Sequence, residues 1–123
     1  MKSVILLLTV ALLAGCFSIN RIPAEHRAAF ETLEGTWQEI GGETTVIKRI
    51  GNRLEVSSII DSDGEEFMVR DASFENGVFE WTYFVPSTQY VVTMRTTTIT
   101  PHQLECTWKN EFTSGTETLY RKE

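Results

Sequence analysis

Turn signals recur at short intervals from residue 41 to residue 115 and leave room for strands but not for helices of ordinary length. They are Gly41-Gly42, Gly51-Asn52, Asp61-Ser62-Asp63-Gly64, Asn76-Gly77, Pro86-Ser87, Pro101-His102 and Ser114-Gly115. Asn-Gly is the strongest short hairpin signal, because both residues accept the positive φ of a type I′ turn. The segments between the turns are rich in Val, Ile, Thr, Phe, Tyr and Trp, the residues that suit a pleated, half-buried surface. Seven turns divide the region into eight runs with no long crossover. The expectation is an all-β fold, a small eight-stranded antiparallel up-and-down barrel. Closure removes the unpaired edges that invite aggregation. A strongly curved open sheet covering a helix is the alternative.

Within the runs, side chains alternate between two faces. Leu54, Val56, Ser58 and Ile60 fall on one face, with Arg53, Glu55, Ser57 and Ile59 on the other. Phe79, Trp81, Tyr83 and Val85 share a face, as do Leu104, Cys106 and Trp108. In the run of residues 89–100, Tyr90, Val92 and Met94 give the more apolar side. Residues 45–50, 66–74 and 116–121 are ambiguous. An eight-stranded barrel is just wide enough to be filled by its own side chains or to hold one small ligand. Phe67, Phe74, Phe79, Trp81, Tyr83, Met94 and Trp108 are the bulky residues available to fill it.

Before the strands, residues 23–34 read as one short helix. Pro23 suits a first turn, Glu25 lies near the positive end of the helix dipole, and Gly35 ends the segment. Ala29, Phe30 and Leu33 share a face at helical spacing, so Phe30 and Leu33 are expected to pack on the strands.

The first 16 residues have a different grammar: Lys2, an apolar run from Val4 to Leu13, then Leu13-Ala14-Gly15-Cys16. A charged start, an apolar centre and small residues at the end make a secretory signal. The run is far short of the roughly 20 residues that span a bilayer. The final four residues resemble the lipobox of bacterial lipoproteins. That resemblance implies cleavage of residues 1–15 and acylation of Cys16, with palmitate-like chains as the membrane partner. Residues 16–22 then form a lipidated tether, and residues 23–123 are the folded domain. It also implies a bacterial cell envelope location. Phe17, where Asp would retain the protein at the inner membrane, implies the outer membrane's periplasmic leaflet if the source is Gram-negative.

Gly35-Thr36-Trp37 after a short helix, followed by eight hairpin-linked strands, resembles the lipocalin-like (calycin) superfamily. Its barrels begin with Gly-x-Trp and commonly hold a small apolar ligand. Many members pack a basic residue from the last strand over that tryptophan, and Arg121 stands in place to do this against Trp37. The disulfides of secreted lipocalins, the Arg-x-Tyr ending of fatty-acid-binding proteins and the tryptophan-rich repeats of avidins are absent. No ligand-contact residue carries over by position.

Composition narrows the partners. The chain carries 17 acids and 11 bases, a formal charge of −6. Loss of the leader removes only Lys2 and leaves −7. Nucleic acid, bound chiefly through Lys and Arg, is not an expected partner. With Cys16 acylated, Cys106 is left alone, so no internal disulfide is expected, and its spacing places it in a strand as a small apolar residue. Asp61-Ser62-Asp63-Gly64-Glu65-Glu66 lacks the ligand spacing of an EF-hand and reads as a turn. His26 and His102 have no metal-spaced companions. No nucleophile–base pair assembles and no enzymatic activity, metal or cofactor is expected. Arg70 and Arg95 sit mid-strand, facing either an enclosed carboxylate or water opposite Glu on neighbouring strands.

The sequence expectation is therefore a membrane-anchored envelope lipoprotein that binds a small apolar or amphipathic ligand in a barrel. Trp37, Trp81, Arg95 and Trp108 are the candidate contacts. The alternative is an envelope protein-interaction or inhibitor module with a filled barrel and an exposed apolar patch including Ile59 or Phe84.

Overall fold

The structure, a computed structural model, describes residues 24–123. The expected signal segment, Cys16 and the tether lie outside the described residues. A helix, α1 (Ala24–Leu33), leads into eight strands. They are β1 (Gly35–Gln38), β2 (Thr44–Ile50), β3 (Arg53–Ile60), β4 (Met68–Glu75), β5 (Val78–Val85), β6 (Tyr90–Ile99), β7 (Gln103–Lys109) and β8 (Ser114–Arg121). All ladders are antiparallel, in the order β3-β2-β1-β8-β7-β6-β5-β4. The sheet is an up-and-down meander curled into a nearly closed barrel, as the turn pattern predicts.

Six of the seven predicted turns reverse the chain where expected. Asn76 and Gly77 both have positive φ, 52° and 79°, between the paired residues Glu75 and Val78. In the acidic turn, an Asp61 side-chain oxygen accepts the Asp63 and Glu65 N–H groups at 3.0 and 2.8 Å, an Asx cap that explains the cluster without a cation. The seventh turn lies earlier than predicted. Asn110 Oδ1 accepts the Phe112 and Thr113 N–H groups at 2.8 and 2.9 Å, so Asn110–Thr113 makes the reversal and Gly115 lies inside β8. Gly115 serves packing there. A Cβ on it would stand 2.9 Å from two carbons of the Trp108 ring. Gly115→Ala is expected to push that indole aside and destabilise the fold by about 1–3 kcal/mol in denaturant melts. An unchanged midpoint would show that Trp108 moves freely.

Three extra residues disturb the alternation. Val46 faces Ser58 while Ile47 faces Val56, which leaves Ser57 bulged. Val69 and Asp71 face Tyr83 and Thr82, bulging Arg70; Thr96 and Thr98 face Cys106 and Glu105, bulging Thr97. Each bulge reverses the faces beyond it. Leu54 and Val56 point inward as predicted, but beyond Ser57 it is Ile59 that is buried, at 0 % exposure, and Ile60 that is exposed. Ile59 therefore belongs to the core and to no surface patch. Phe84 is half-buried on the outer wall beneath the Arg70 guanidinium, 5.1 Å from the ring centroid.

Phe67, Phe79, Trp81, Tyr83 and Met94 fill the interior with Ile47, Ile59, Leu104 and Leu119, and Phe74 and Trp108 pack against them. α1 covers one end. Phe30 and Leu33 are buried, and Phe30 and His26 meet the Phe74 ring edge-on at 5.4 and 5.1 Å. Trp37 Nε1 donates to the Leu33 carbonyl at 2.8 Å. The Arg121 guanidinium lies 4.3 Å over the Trp37 ring and donates to the carbonyls of Thr32, Glu34 and Pro101. Cationic donors at a helix C-terminus satisfy its orphan carbonyls and its dipole.

Two junctions are thin. β1 and β8 pair at Trp37–Arg121 and Gln38–Tyr120, extended by the Lys122 N–H on the Thr36 carbonyl at 2.8 Å. β3 and β4 touch at their shared turn, through the Ile60–Glu66 bridge and the Phe67 N–H on the Ile59 carbonyl at 2.8 Å. Beyond it they diverge around a groove of about 350 Å³ lined by Arg53, Glu55, Val69, Arg70 and Asp71 among others.

Candidate functional site

In a meander, successive turns fall at alternate ends, so the end away from α1 carries the turns after β1, β3, β5 and β7. Their loops are cross-tied. Glu65 accepts the Ser87 N–H and hydroxyl at 2.8 and 2.7 Å, and Glu111 accepts the Val91 N–H at 3.0 Å. Glu39 N–H bonds the Glu43 carbonyl at 3.0 Å and closes the β1–β2 hairpin. The loops frame an open mouth of about 380 Å³.

Its floor is apolar and aromatic: Phe67, Tyr83, Val85 and Val92, with Trp108 and Tyr90 at the side. The Phe67 and Tyr83 rings stack at 5.3 Å with 7° between planes. Ile40 and Phe112 stand on the surrounding loops at 87 % and 77 % exposure, and the Phe112 ring lies 5.5 Å from Tyr90.

Into this apolar setting project three carboxylates, Glu39, Glu43 and Glu117. Strand parity puts them there: Glu39 follows Trp37 by two residues, Glu43 precedes Thr45 by two and Glu117 precedes Leu119 by two. All three reference residues are buried. Burial first, then a hydrogen bond with Glu39 and the charges of Glu43 and Glu39, push the Glu117 carboxyl up to about 9. Burial, reinforced by Glu39 and Asp61, pushes Glu43 up to about 7. Tyr83 is raised by burial and by the same acids. The Cys106 thiol, beneath them, is pushed up to about 12 by burial, Glu117 and Glu105. It is a packed apolar side chain and a poor nucleophile.

Of the four contacts expected from sequence, Trp108 lines the mouth. Trp37 and Trp81 are core residues, 0 % and 1 % exposed. Arg95 is on the outer wall, its Nε 3.2 Å from Glu80 on β5, so it does not reach the interior. His102 is exposed in the β6–β7 turn, where its carbonyl accepts the Arg121 N–H at 3.0 Å. No group of three His, Cys, Asp or Glu side chains among the described residues is arranged to hold a metal ion. No helix among the described residues is long and apolar enough to cross a membrane.

The carboxylate triad was missed by sequence reading. The two-residue offsets from Trp37 and Leu119 were available as a signal, but the end of each strand and the course of each loop were not. Compared with protein-family models, curated proteins and solved structures, the chain matches none of them.

Proposed function

We propose that the chain is a non-enzymatic envelope lipoprotein, tethered through acylated Cys16, whose lipocalin-like barrel takes a small amphipathic molecule at its mouth. The observation that carries this reading is the mouth itself, aromatic at its floor and ringed by polar groups, with room for a small ligand. The mouth is preferred to the barrel centre as the ligand position, because one cluster of buried side chains, Ile47, Phe79, Trp81, Met94 and Leu104 among them, packs between the sheet walls. Tethering rests on the Leu13-Ala14-Gly15-Cys16 segment.

Ile40 and Phe112 favour a second reading, in which the loop tips dock on an envelope protein. Large apolar side chains exposed on one end of a small domain often mark a contact surface. Native mass spectrometry of the protein purified gently from its own host separates the two. Under the first reading the mature chain begins at Cys16 with acyl chains attached, and a small-molecule mass accompanies it until denaturation. A bare folded chain carrying no small mass would transfer the weight to a protein partner. An intact, unacylated N-terminus would remove the tether.

A further inference from the structure

We propose that the mouth selects an organic cation, an ammonium-headed amphipathic molecule. Its charged head would sit between Glu43 and Glu117, and its apolar part against Phe67, Tyr83, Val92 and Trp108. This rests on the ligand-binding reading above and names the chemistry of the ligand.

The cavity combines two features that recognise the same group. Among the described residues the lining includes three carboxylates and no lysine or arginine. The Arg53–Glu55 and Arg95–Glu80 ion pairs lie on exposed side chains outside the lining of the mouth. An incoming carboxylate or phosphate would meet only acidic side chains, and a neutral molecule would draw no charge attraction from them. Tyr83, Tyr90 and Trp108 add ring surfaces, whose negative faces attract an ammonium group most strongly where water is partly displaced. A metal ion is a poorer fit, because the acids do not converge as ligands.

The titratable groups lining this space are Glu39 and Glu43 from the β1–β2 hairpin, Tyr83 from β5, Tyr90 from β6 and Glu117 from β8. Asp61 in the β3–β4 turn acts on Glu43 from outside the lining, and Cys106 on β7 is buried beneath it. Without a ligand, Glu117 keeps its proton at neutral pH while hydrogen-bonded to Glu39, and Glu43 is part-protonated. An ammonium ion replaces those protons as the compensating charge. Binding therefore releases protons, and affinity rises as pH increases through about 7 and towards about 9.

The test uses the full mature chain and three probes of similar size: phenethylammonium, 2-phenylethanol and 3-phenylpropanoate. Tryptophan emission and calorimetry report binding. The ammonium probe is expected to bind at least about tenfold more tightly than the alcohol, and the carboxylate probe not to saturate. Its heat should vary with the ionisation enthalpy of the buffer, which reports the released protons. Glu43→Gln with Glu117→Gln keeps volume, removes charge, and should cost the ammonium probe about tenfold while leaving the alcohol unchanged. Equal binding of ammonium and alcohol, unaffected by the double substitution, would overturn the cation assignment and leave the apolar mouth standing. Failure of all three probes on folded protein would overturn the ligand-binding reading and this inference with it.

Discussion

Raising the pH from 5 to 9 is expected to lower the melting temperature by roughly 10–20 °C. The folded-state values of Glu43 and Glu117 are raised to about 7 and about 9 from 4.5. Between the ordinary carboxylate range and those values the folded chain holds protons that the unfolded chain has released. Stability therefore falls as pH climbs. The contribution is fully present below about pH 4.5 and is lost first through Glu43 and then through Glu117. Water at the open mouth screens both groups, so the loss is about 3 kcal/mol, well under a full conversion of the two shifts. Glu43→Gln with Glu117→Gln should flatten the profile and leave the pH 5 value within a few degrees of the parent. Scanning calorimetry across the range reads it directly. A parent melting temperature that holds steady or climbs towards pH 9 would mean that the carboxyls are solvated at all times.

The second large effect is expected at the opposite end. Trp37→Ala removes a fully buried indole, its hydrogen bond to the Leu33 carbonyl and the ring beneath Arg121. The cost is about 3–5 kcal/mol, a large part of the roughly 5–15 kcal/mol that keeps a domain folded. The variant should be partly unfolded or have its urea midpoint greatly reduced. Arg121→Ala frees the last carbonyls of α1 and is expected to cost about 2 kcal/mol, within the range for lost hydrogen bonds to a charged group. The double variant should lose less than the two singles summed, with a coupling of about 0.5–2 kcal/mol for the stacked pair. A Trp37→Ala loss below about 1 kcal/mol would show that α1 does not depend on this contact.

Strand number, antiparallel order and the packing of Phe30 and Leu33 were legible because turn chemistry and periodicity are local. The faces of β5 and β7 were legible too, as both strands run without an extra residue of their own. The side-chain pattern loses its phase at Ser57, Arg70 and Thr97, because a bulge is a property of two strands and appears in neither alone. That is why Ile59 and Ile60 exchanged places. Gly115 resembled a turn residue for the same reason: its lack of a side chain answers to Trp108 across the ladder. Glu39, Glu43 and Glu117 are separated in sequence and become neighbours only when β1 meets β8. The pairing of Arg121 with Trp37 was legible through the Gly-x-Trp resemblance, and the structure places the guanidinium over the ring.

The parting of β3 from β4 leaves two backbone edges side by side, and each is poorly suited to recruiting a strand from another molecule. A visiting strand along β3 would pass Arg53 and Glu55, already joined at 2.7 Å, and then lose register at Ser57. Along β4 it would meet Arg70 and Asp71 where that strand bulges. Charge and broken register are the means by which β proteins keep open edges from templating aggregates. Where the β3–β4 ladder lapses, neither edge thus offers an outside strand a regular run of uncharged, in-register backbone to extend.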